Sequence, residues 1–398
     1  VTSTEDLVPD ISAGVTTPAG FRAAGLAVGV KANGNPDLTL VVNDGPADVA
    51  AGVFTTNQVK AAPVLWSQEV LKQRRLRAVV LNSGGANACT GPEGFQDSHA
   101  TAEKVAAVLG VGAGEIGVCS TGLIGERLPM DKILPGVDAV HAALARGPEA
   151  SLAAATAVMT TDSKPKQAAY THPDGWSVGG FAKGAGMCAP NMATMLSVLT
   201  TDAVVDADSL DKALRAAVDV TFNSLDVDGG TSTNDTLLLL SSGASGTTPD
   251  PAEFLAVLTA VARSLTRQLQ RDAEGATKYV EVTVTGAVDD TQAKQTARTV
   301  SEDNLVKTAW FGSDPNWGRI AMAVGRSGIT MDQSKLDIAV NGVTVMRQGT
   351  RGDDRSLADL SGTDIDVRIS LGMGAGTATV YTTDLSHDYV EENSAYSS

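Results

Sequence analysis

The stretch KGAGMCAPNMATML, Lys183 to Leu196, sets three side chains with usable chemistry, Lys183, Cys188 and Thr194, in a turn-rich segment ahead of the apolar run MLSVLTTDA. A lysine there offers a point charge for a carboxylate. Cys188 is the conventional nucleophile, but a thiol needs a base, and no histidine with an orienting carboxylate lies nearby in the sequence. It reads as a small buried hydrophobe. Thr194 offers a different chemistry. A threonine hydroxyl attacks only when a base takes its proton, and a free α-amine on the same residue is such a base. With a pKa of about 7.7 to 8.0, an α-amine is neutral in roughly 10 to 20% of molecules at pH 7. A threonine inside a chain has no such amine, so the chain must first break between Ala193 and Thr194. An N-to-O acyl shift would break it if a strained turn, shaped by the glycines and Pro190, held the Ala193 carbonyl against the Thr194 hydroxyl. From residue types alone, the other reading stays open: a loop that merely enters a strand.

Two further loops follow short apolar strands, LNSGGANACTG (Leu81 to Gly91) and CSTGLIGERLP (Cys119 to Pro129). Their backbone N–H groups could converge on an anion or a developing oxyanion, or they could be plain glycine-rich turns. Gly112, Gly114 and Gly117 satisfy G-x-G-x-x-G, but a helix precedes them and the strand IGVCS follows. That order is the reverse of the one that brings a pyrophosphate to a helix N-terminus. No Walker-type loop and no G-x-S-x-G elbow is present. His99, His141, His172 and His387 are scattered, so no metal site is expected. In FGSDPNWGR (Phe311 to Arg319), Asp314 and Arg319 are expected to pin the loop before the helix RIAMAVG.

These residues need a scaffold. Up to Thr55, the runs AGLAVGV, LTLVV and AAGVF between turn residues read as sheet. From Val64, helical and strand patterns alternate: SQEVLKQRRLR then AVVLNSGG, and DSHATAEKVAAVLG then IGVCSTG. Two more helices follow, MDKILPGVDAVHAALA, interrupted at Pro135, and PEASLAAATAVM. Beyond Thr194 come a buried strand, a helix capped by Asp206, the strand TLLLLSSG, a long helix from Asp250, and the strands YVEVTVTG, LDIAV, VRISL and ATVYTT. Such alternation implies an α/β fold in which sheets are layered with helices. At 398 residues, two lobes are expected, since single cores stop growing near about 250 to 300 residues.

Composition narrows the partners. With 43% hydrophobic and 19% charged residues the chain is globular. A formal net charge of -16 argues against a nucleic-acid partner. The densest basic cluster, KQRRLR (Lys72 to Arg77), reads as the solvated end of an amphipathic helix. The opening residues carry no basic stretch ahead of an apolar core, and no apolar run approaches about 20 residues, so neither a secretory signal nor a membrane span is expected. Cys89, Cys119 and Cys188 are odd in number and widely spaced, which suits reduced thiols in the cytoplasm.

The motifs LNSGGANACTG, CSTGLIGERLPM, MTTDSKPK, KGAGMCAPNMATML, STNDT, DAEGATK, LVKTAWFGSDPNWGR and DLSHDYVEENSAYSS stand in this order along the chain. In them the sequence resembles, over essentially its whole length, the ornithine acetyltransferase family, the bifunctional glutamate and ornithine N-acetyltransferases of arginine biosynthesis. The resemblance implies a helix-sheet-sheet-helix fold with two mixed sheets and a smaller second lobe. It also implies that the precursor cuts itself into an α chain of residues 1–193 and a β chain of residues 194–398, assembled as α2β2. The implied mechanism is ping-pong: Thr194 takes the acetyl group from N2-acetylornithine, ornithine leaves, and glutamate accepts the group. Thr121 by its hydroxyl and Gly122 by its N–H match the oxyanion pair. Thr160, Lys183, Thr194, Glu274, Asn393 and Ser398 match substrate-binding positions; by charge sign, Lys183 suits a carboxylate and Glu274 an ammonium. No cofactor is implied, with acetyl-CoA open as an alternative donor. Two rival functions share this pocket: an aminopeptidase that cleaves amides with water, and a catalytically silent amino-acid-binding protein.

Overall fold

The computed structural model describes residues 7–187 and 195–395. The chain opens with β1 (Phe21–Leu26), β2 (Leu38–Asn43) and β3 (Val49–Phe54), then alternates α1 (Ala62–Val70), β4 (Ala78–Gly85), α2 (Gly91–Leu109) and β5 (Ile116–Leu123). Helices α3 (Met130–Ala142) and α4 (Pro148–Ala157) lead to the antiparallel pair β6 (Lys166–Thr171) and β7 (Ser177–Lys183). Past residue 194, β8 (Leu196–Thr201), α5 (Ala207–Asp219), β9 (Thr236–Ser241) and α6 (Pro251–Arg271) complete the first lobe. Its strands form two mixed sheets, ordered β1-β2-β4-β5 and β3-β9-β8-β7-β6. In the second sheet β3, β6 and β7 precede position 193, whereas β8 and β9 follow it.

Side-chain alternation decides the layering, because successive residues of a strand face opposite ways. On β9, Leu238 and Leu240 join Val79 and Leu81 of β4 in a core between the sheets, while Leu237 and Leu239 pack with Leu214 of α5 and Leu258 of α6. On β4, Ala78 and Val80 face Val105 of α2 and Val137 of α3. The layers therefore run helices, sheet, sheet, helices, as expected. Burial on both faces explains why β9 reads as an unbroken LLLL.

The second lobe runs through β10 (Tyr279–Ala287), α7 (Asp290–Ser301), α8 (Asn304–Phe311), α9 (Trp317–Gly325), β11 (Asp337–Val340), β12 (Val343–Arg347), β13 (Thr350–Arg351), β14 (Asp364–Ser370) and β15 (Gly376–Thr383). Its six strands, ordered β13-β12-β11-β14-β10-β15, share a core in which Val280, Val282 and Val284 meet Val300, Trp310 and Ile320. Helix α10 (His387–Ala395) ends the described chain. The changeover between lobes thus falls after α6, far from position 193.

Asp206 caps α5 through the Ser209 N–H at 2.9 Å, and Asp250 caps α6 through the Ala252 N–H at 2.8 Å, as their positions suggest. Two expectations need correction. Pro135 does not interrupt α3, which runs through it. The proline is exposed, so water can satisfy the carbonyl that its missing N–H leaves free. The KQRRLR cluster lies beyond α1, which ends at Val70; Arg74 adopts φ +54°, and Arg75 and Arg77 both reach Asp48, at 2.7 and 3.3 Å. Among the described residues no helix is long and apolar enough to cross a membrane.

Candidate active site

The parallel pair β4 and β5 ends in the two glycine-rich loops, with Gly84 opposite Gly122. Gly122 has φ +132°, and a Cβ there would fall 2.5 Å from the Gly85 nitrogen and 2.6 Å from the Gly84 carbonyl carbon. Only glycine permits that approach. Next to it, the buried Thr121 hydroxyl accepts a hydrogen bond from Lys183 Nζ at 3.2 Å, and Lys183 donates another to Thr160 Oγ1 at 2.7 Å. A hydroxyl oxygen that accepts from a lysine keeps its own proton to donate, as an oxyanion hole requires.

Lys183 is only 1% exposed, and a buried ammonium needs a counter-charge. Asp162 supplies it. Its Oδ1 accepts from Gly184 N at 2.7 Å and Lys166 Nζ at 2.6 Å, and its Oδ2 from Thr160 N at 3.0 Å. Burial opposes the charge on Asp162, but Lys183, Lys166 and the Gly184 N–H outweigh it and hold the carboxyl down at about 2. Lys166 is braced in turn by Asp272 at 2.6 Å. One carboxylate thus fixes the backbone at Thr160 and beside Lys183. Asp162→Asn is expected to lower kcat/KM by about 10- to 100-fold, since small misplacements of positioned groups cost that much. It should also destabilise the fold by about 3–5 kcal/mol in urea unfolding, because it leaves buried lysines undercompensated. The sign with pH follows: a carboxyl lowered from 3.8 to about 2 stabilises fully above the higher value and loses that contribution as pH falls through the lower one. An acid titration of the variant should lack this contribution.

Glu274 follows α6, and its N–H donates to Ala185 O at 3.0 Å. Its carboxylate lies over Gly186, where a Cβ would fall 2.1 Å from Oε2. Asn393 Nδ2 of α10 donates to the same Oε2 at 3.0 Å. Helix α10 can sit this close because Gly275, at φ +60°, leaves no Cβ to strike the Tyr389 nitrogen 2.1 Å away. A tail whose sequence reads as a frayed terminus is therefore docked.

Thr121, Gly122, Thr160, Lys183, Glu274 and Asn393 line one cavity of about 90 Å3. A larger cleft of about 1220 Å3, between α6, α7 and β15, contains none of them. Ala193, Thr194, Ser398 and Cys188 lie outside the described residues. The register of β7 against β8 sets Leu196, where β8 begins, opposite Lys183.

Asp162 and Asn234 are contributors that sequence reasoning missed. Asn234 Nδ2 donates to Ala86 O at 2.6 Å and Ser120 O at 2.8 Å, tying the two glycine-rich loops together. The available signal was its place in STNDT, polar residues abutting an apolar strand. Elsewhere, Asn316 accepts the Arg319 N–H at 3.2 Å and donates to Asp314 at 2.9 Å, while Arg319 reaches Leu305 O at 2.7 Å. The FGSDPNWGR motif pins a loop, as expected. Cys89 and Cys119 are unbonded thiols, and burial pushes Cys119 well above the usual thiol range. Among the described residues, ligand-type atoms of His172, Asp174 and Glu253 gather within 4.8 Å of one another, outside this cavity.

A layered α/β fold that sets a lysine-held hydroxyl, a backbone N–H and a carboxylate around one small cavity fits an enzyme of small-molecule substrates. The ArgJ family model matches residues 22–398, and the chain belongs to that family. It is 60% identical over 390 residues to the protein named arginine biosynthesis bifunctional protein ArgJ from Mycolicibacterium paratuberculosis, covering 97% of this chain and 96% of that one. The protein of the same name from Streptomyces coelicolor is 55% identical over 384 residues, covering 96% and 100%. A crystal structure of ornithine acetyltransferase complexed with ornithine, from Mycobacterium tuberculosis, is 62% identical and covers 46% of this chain and 98% of its own, at a TM-score of 0.45.

Proposed function

We propose that the chain is a self-processing acetyltransferase of arginine biosynthesis that moves the acetyl group of N2-acetylornithine to glutamate. The observation that carries this reading is the line Thr121–Lys183–Thr160 meeting Gly122, Glu274 and Asn393 in one cavity, at the end of the sheet where Leu196 begins the strand after the proposed cut. Once the chain is cut, the Thr194 α-amine takes the hydroxyl proton as Oγ bonds to the acetyl carbon. Thr121 and Gly122 donate to the oxyanion. The carbon–nitrogen bond then breaks, the proton passes to the departing ornithine amine, and the acetyl group stays on Thr194 as an ester. Glutamate reverses these steps with its own amine. No cofactor is needed, because the residue that carries the acetyl group also supplies the base.

Glu274 would hold a substrate ammonium, and Lys183, which donates to Thr121 and Thr160, would share its charge with a substrate carboxylate. Lys183→Met is expected to raise the KM for both substrates by about tenfold or more, the scale of a lost charge-assisted hydrogen bond. Unchanged KM values would limit the lysine to holding Thr121. The 1–193 and 194–398 pieces should remain together as α2β2 in the cytoplasm, with electrophoresis showing two bands near half of 40.7 kDa.

The deciding assay offers acetylornithine and glutamate together. Transfer should far outpace acetate release, whereas dominant acetate release would make the enzyme a hydrolase. Replacing acetylornithine by acetyl-CoA in the same assay decides whether the thioester is also a donor.

A further inference from the structure

The loop LNSGGANACTG carries buried amides that the steps above leave unused. Asn87 serves the helix beyond it, donating through Nδ2 to Gly94 O of α2 at 2.8 Å. Asn82 serves the loops themselves. The parallel ladder of β4 and β5 keeps its register from Ala78 opposite Ile116 to Gly84 opposite Gly122, then breaks at Gly85. Around such a break the ladder no longer pairs each group in turn, and buried carbonyls need other donors. Asn82 and Ser120, opposite each other just before it, supply part of the answer. Asn82 Nδ2 donates to Gly85 O at 3.0 Å, and its Oδ1 accepts the Ser120 hydroxyl at 2.6 Å. Asn234 supplies the rest, through its donations to Ala86 O and Ser120 O. Its own Oδ1 accepts the Thr233 hydroxyl at 2.6 Å, so the amide cannot turn over without losing all three bonds. The two asparagines thus close on Ser120 from both sides, one on its side chain and one on its carbonyl. That carbonyl belongs to the peptide leading into Thr121, and the Gly84–Gly85 peptide is the bed on which Gly122 rests without room for a Cβ.

We propose that Asn82 and Asn234 are positioning residues for acetyl transfer: as a clamp on Ser120 they aim the Thr121 hydroxyl and the Gly122 N–H at the oxyanion that forms on the acetyl carbonyl. The proposal rests on the reading of Thr121 and Gly122 as the oxyanion pair. Neither asparagine makes or breaks a covalent bond in the reaction. Their work is to spare the donors from reorienting as charge develops, which is where fixed dipoles lower a barrier. The neutral carbonyl of the bound substrate demands less of those donors than the oxyanion does, so the loss falls on kcat rather than KM. Asn234 lies beyond the proposed cut and Asn82 before it, so the later piece of the chain holds the loops of the earlier one.

The test is steady-state transfer from acetylornithine to glutamate by the purified protein, with kcat referred to the cut chain seen on electrophoresis. Asn234→Asp keeps the shape but sets a carboxylate against two carbonyl oxygens, whereas Asn82→Asp does so against one and still accepts from Ser120. The expected falls in kcat are about 100-fold and about tenfold, with both KM values within about twofold of wild type. Ser120→Ala, which frees only the Asn82 Oδ1, should cost less than either. A donor already missing cannot be misaimed, so in the Thr121→Val background Asn234→Asp should cost at least about threefold less than in the wild type. Damage to the fold alone would multiply instead. The proposal is overturned if a folded, cut Asn234→Asp chain keeps kcat within about threefold of wild type, loses only in KM, or costs as much with Thr121→Val as without it. It is equally overturned if urea unfolding shows that neither asparagine variant folds, or if neither is cut, which would assign the amides to folding or to the cut. A Thr121→Val chain as fast as wild type would instead sink the oxyanion reading, and this proposal with it.

Discussion

The Thr194→Ala chain is expected to run as one band at 40.7 kDa and to transfer no acetyl group above background. Alanine lacks the oxygen that both reactions use, first to accept the Ala193 acyl group and then the acetyl group. Without the cut there is also no α-amine, so the base is lost together with the nucleophile. Losing a covalent route of this kind removes about 10⁶-fold in kcat where nucleophile and base act as a unit. Thr194→Ser keeps the oxygen and should be cut. Electrophoresis and the transfer assay read both results, and a Thr194→Ala chain that still splits would mean that some other agent makes the cut.

Gly122→Ala should have the next largest effect while leaving the nucleophile intact. The added Cβ would press on the backbone of Gly85 and Gly84, at 2.5 and 2.6 Å, where no side chain can swing aside. The end of β5 must shift, taking the Gly122 N–H and the Thr121 hydroxyl with it. Removing a single oxyanion donor costs about 10²–10³ in kcat, so displacing both should exceed about 10³. Thr121→Val is the single-donor reference and should lose only the smaller amount, roughly 2.7–4 kcal/mol of transition-state stabilisation. Steady-state transfer kinetics on all three chains decides: equal kcat for Gly122→Ala and wild type would remove the oxyanion role from this loop.

Most of the layering was legible because it rests on local rules. Asp206 and Asp250 announced their helices, and short apolar runs announced β4, β5 and β9. Pro135 misled because a proline's effect depends on whether the freed carbonyl can reach water, and that is a tertiary fact. Lys183 was legible from its residue type, and the ordered motifs pointed to Thr121, Gly122, Thr160, Glu274 and Asn393, which line the same cavity. Asp162 escaped because its work is relational. Nothing in DSK announces that one carboxylate will touch Lys166 and the backbone nitrogens of Thr160 and Gly184.

The strand order β3-β9-β8-β7-β6 has a consequence for the life of the chain. While the ribosome has released only the residues before Thr194, β3 and β7 are bare edges waiting for partners, a state that lasts seconds at about 5–20 residues per second. In the proposed self-cleavage, the cut waits until β8 and β9 insert between them, because only then does Leu196 pair with Lys183. On that proposal, scission would be a receipt for correct assembly: a misfolded copy would stay in one piece, and the ratio of cut to uncut chain in a cell would measure folding yield without any added probe.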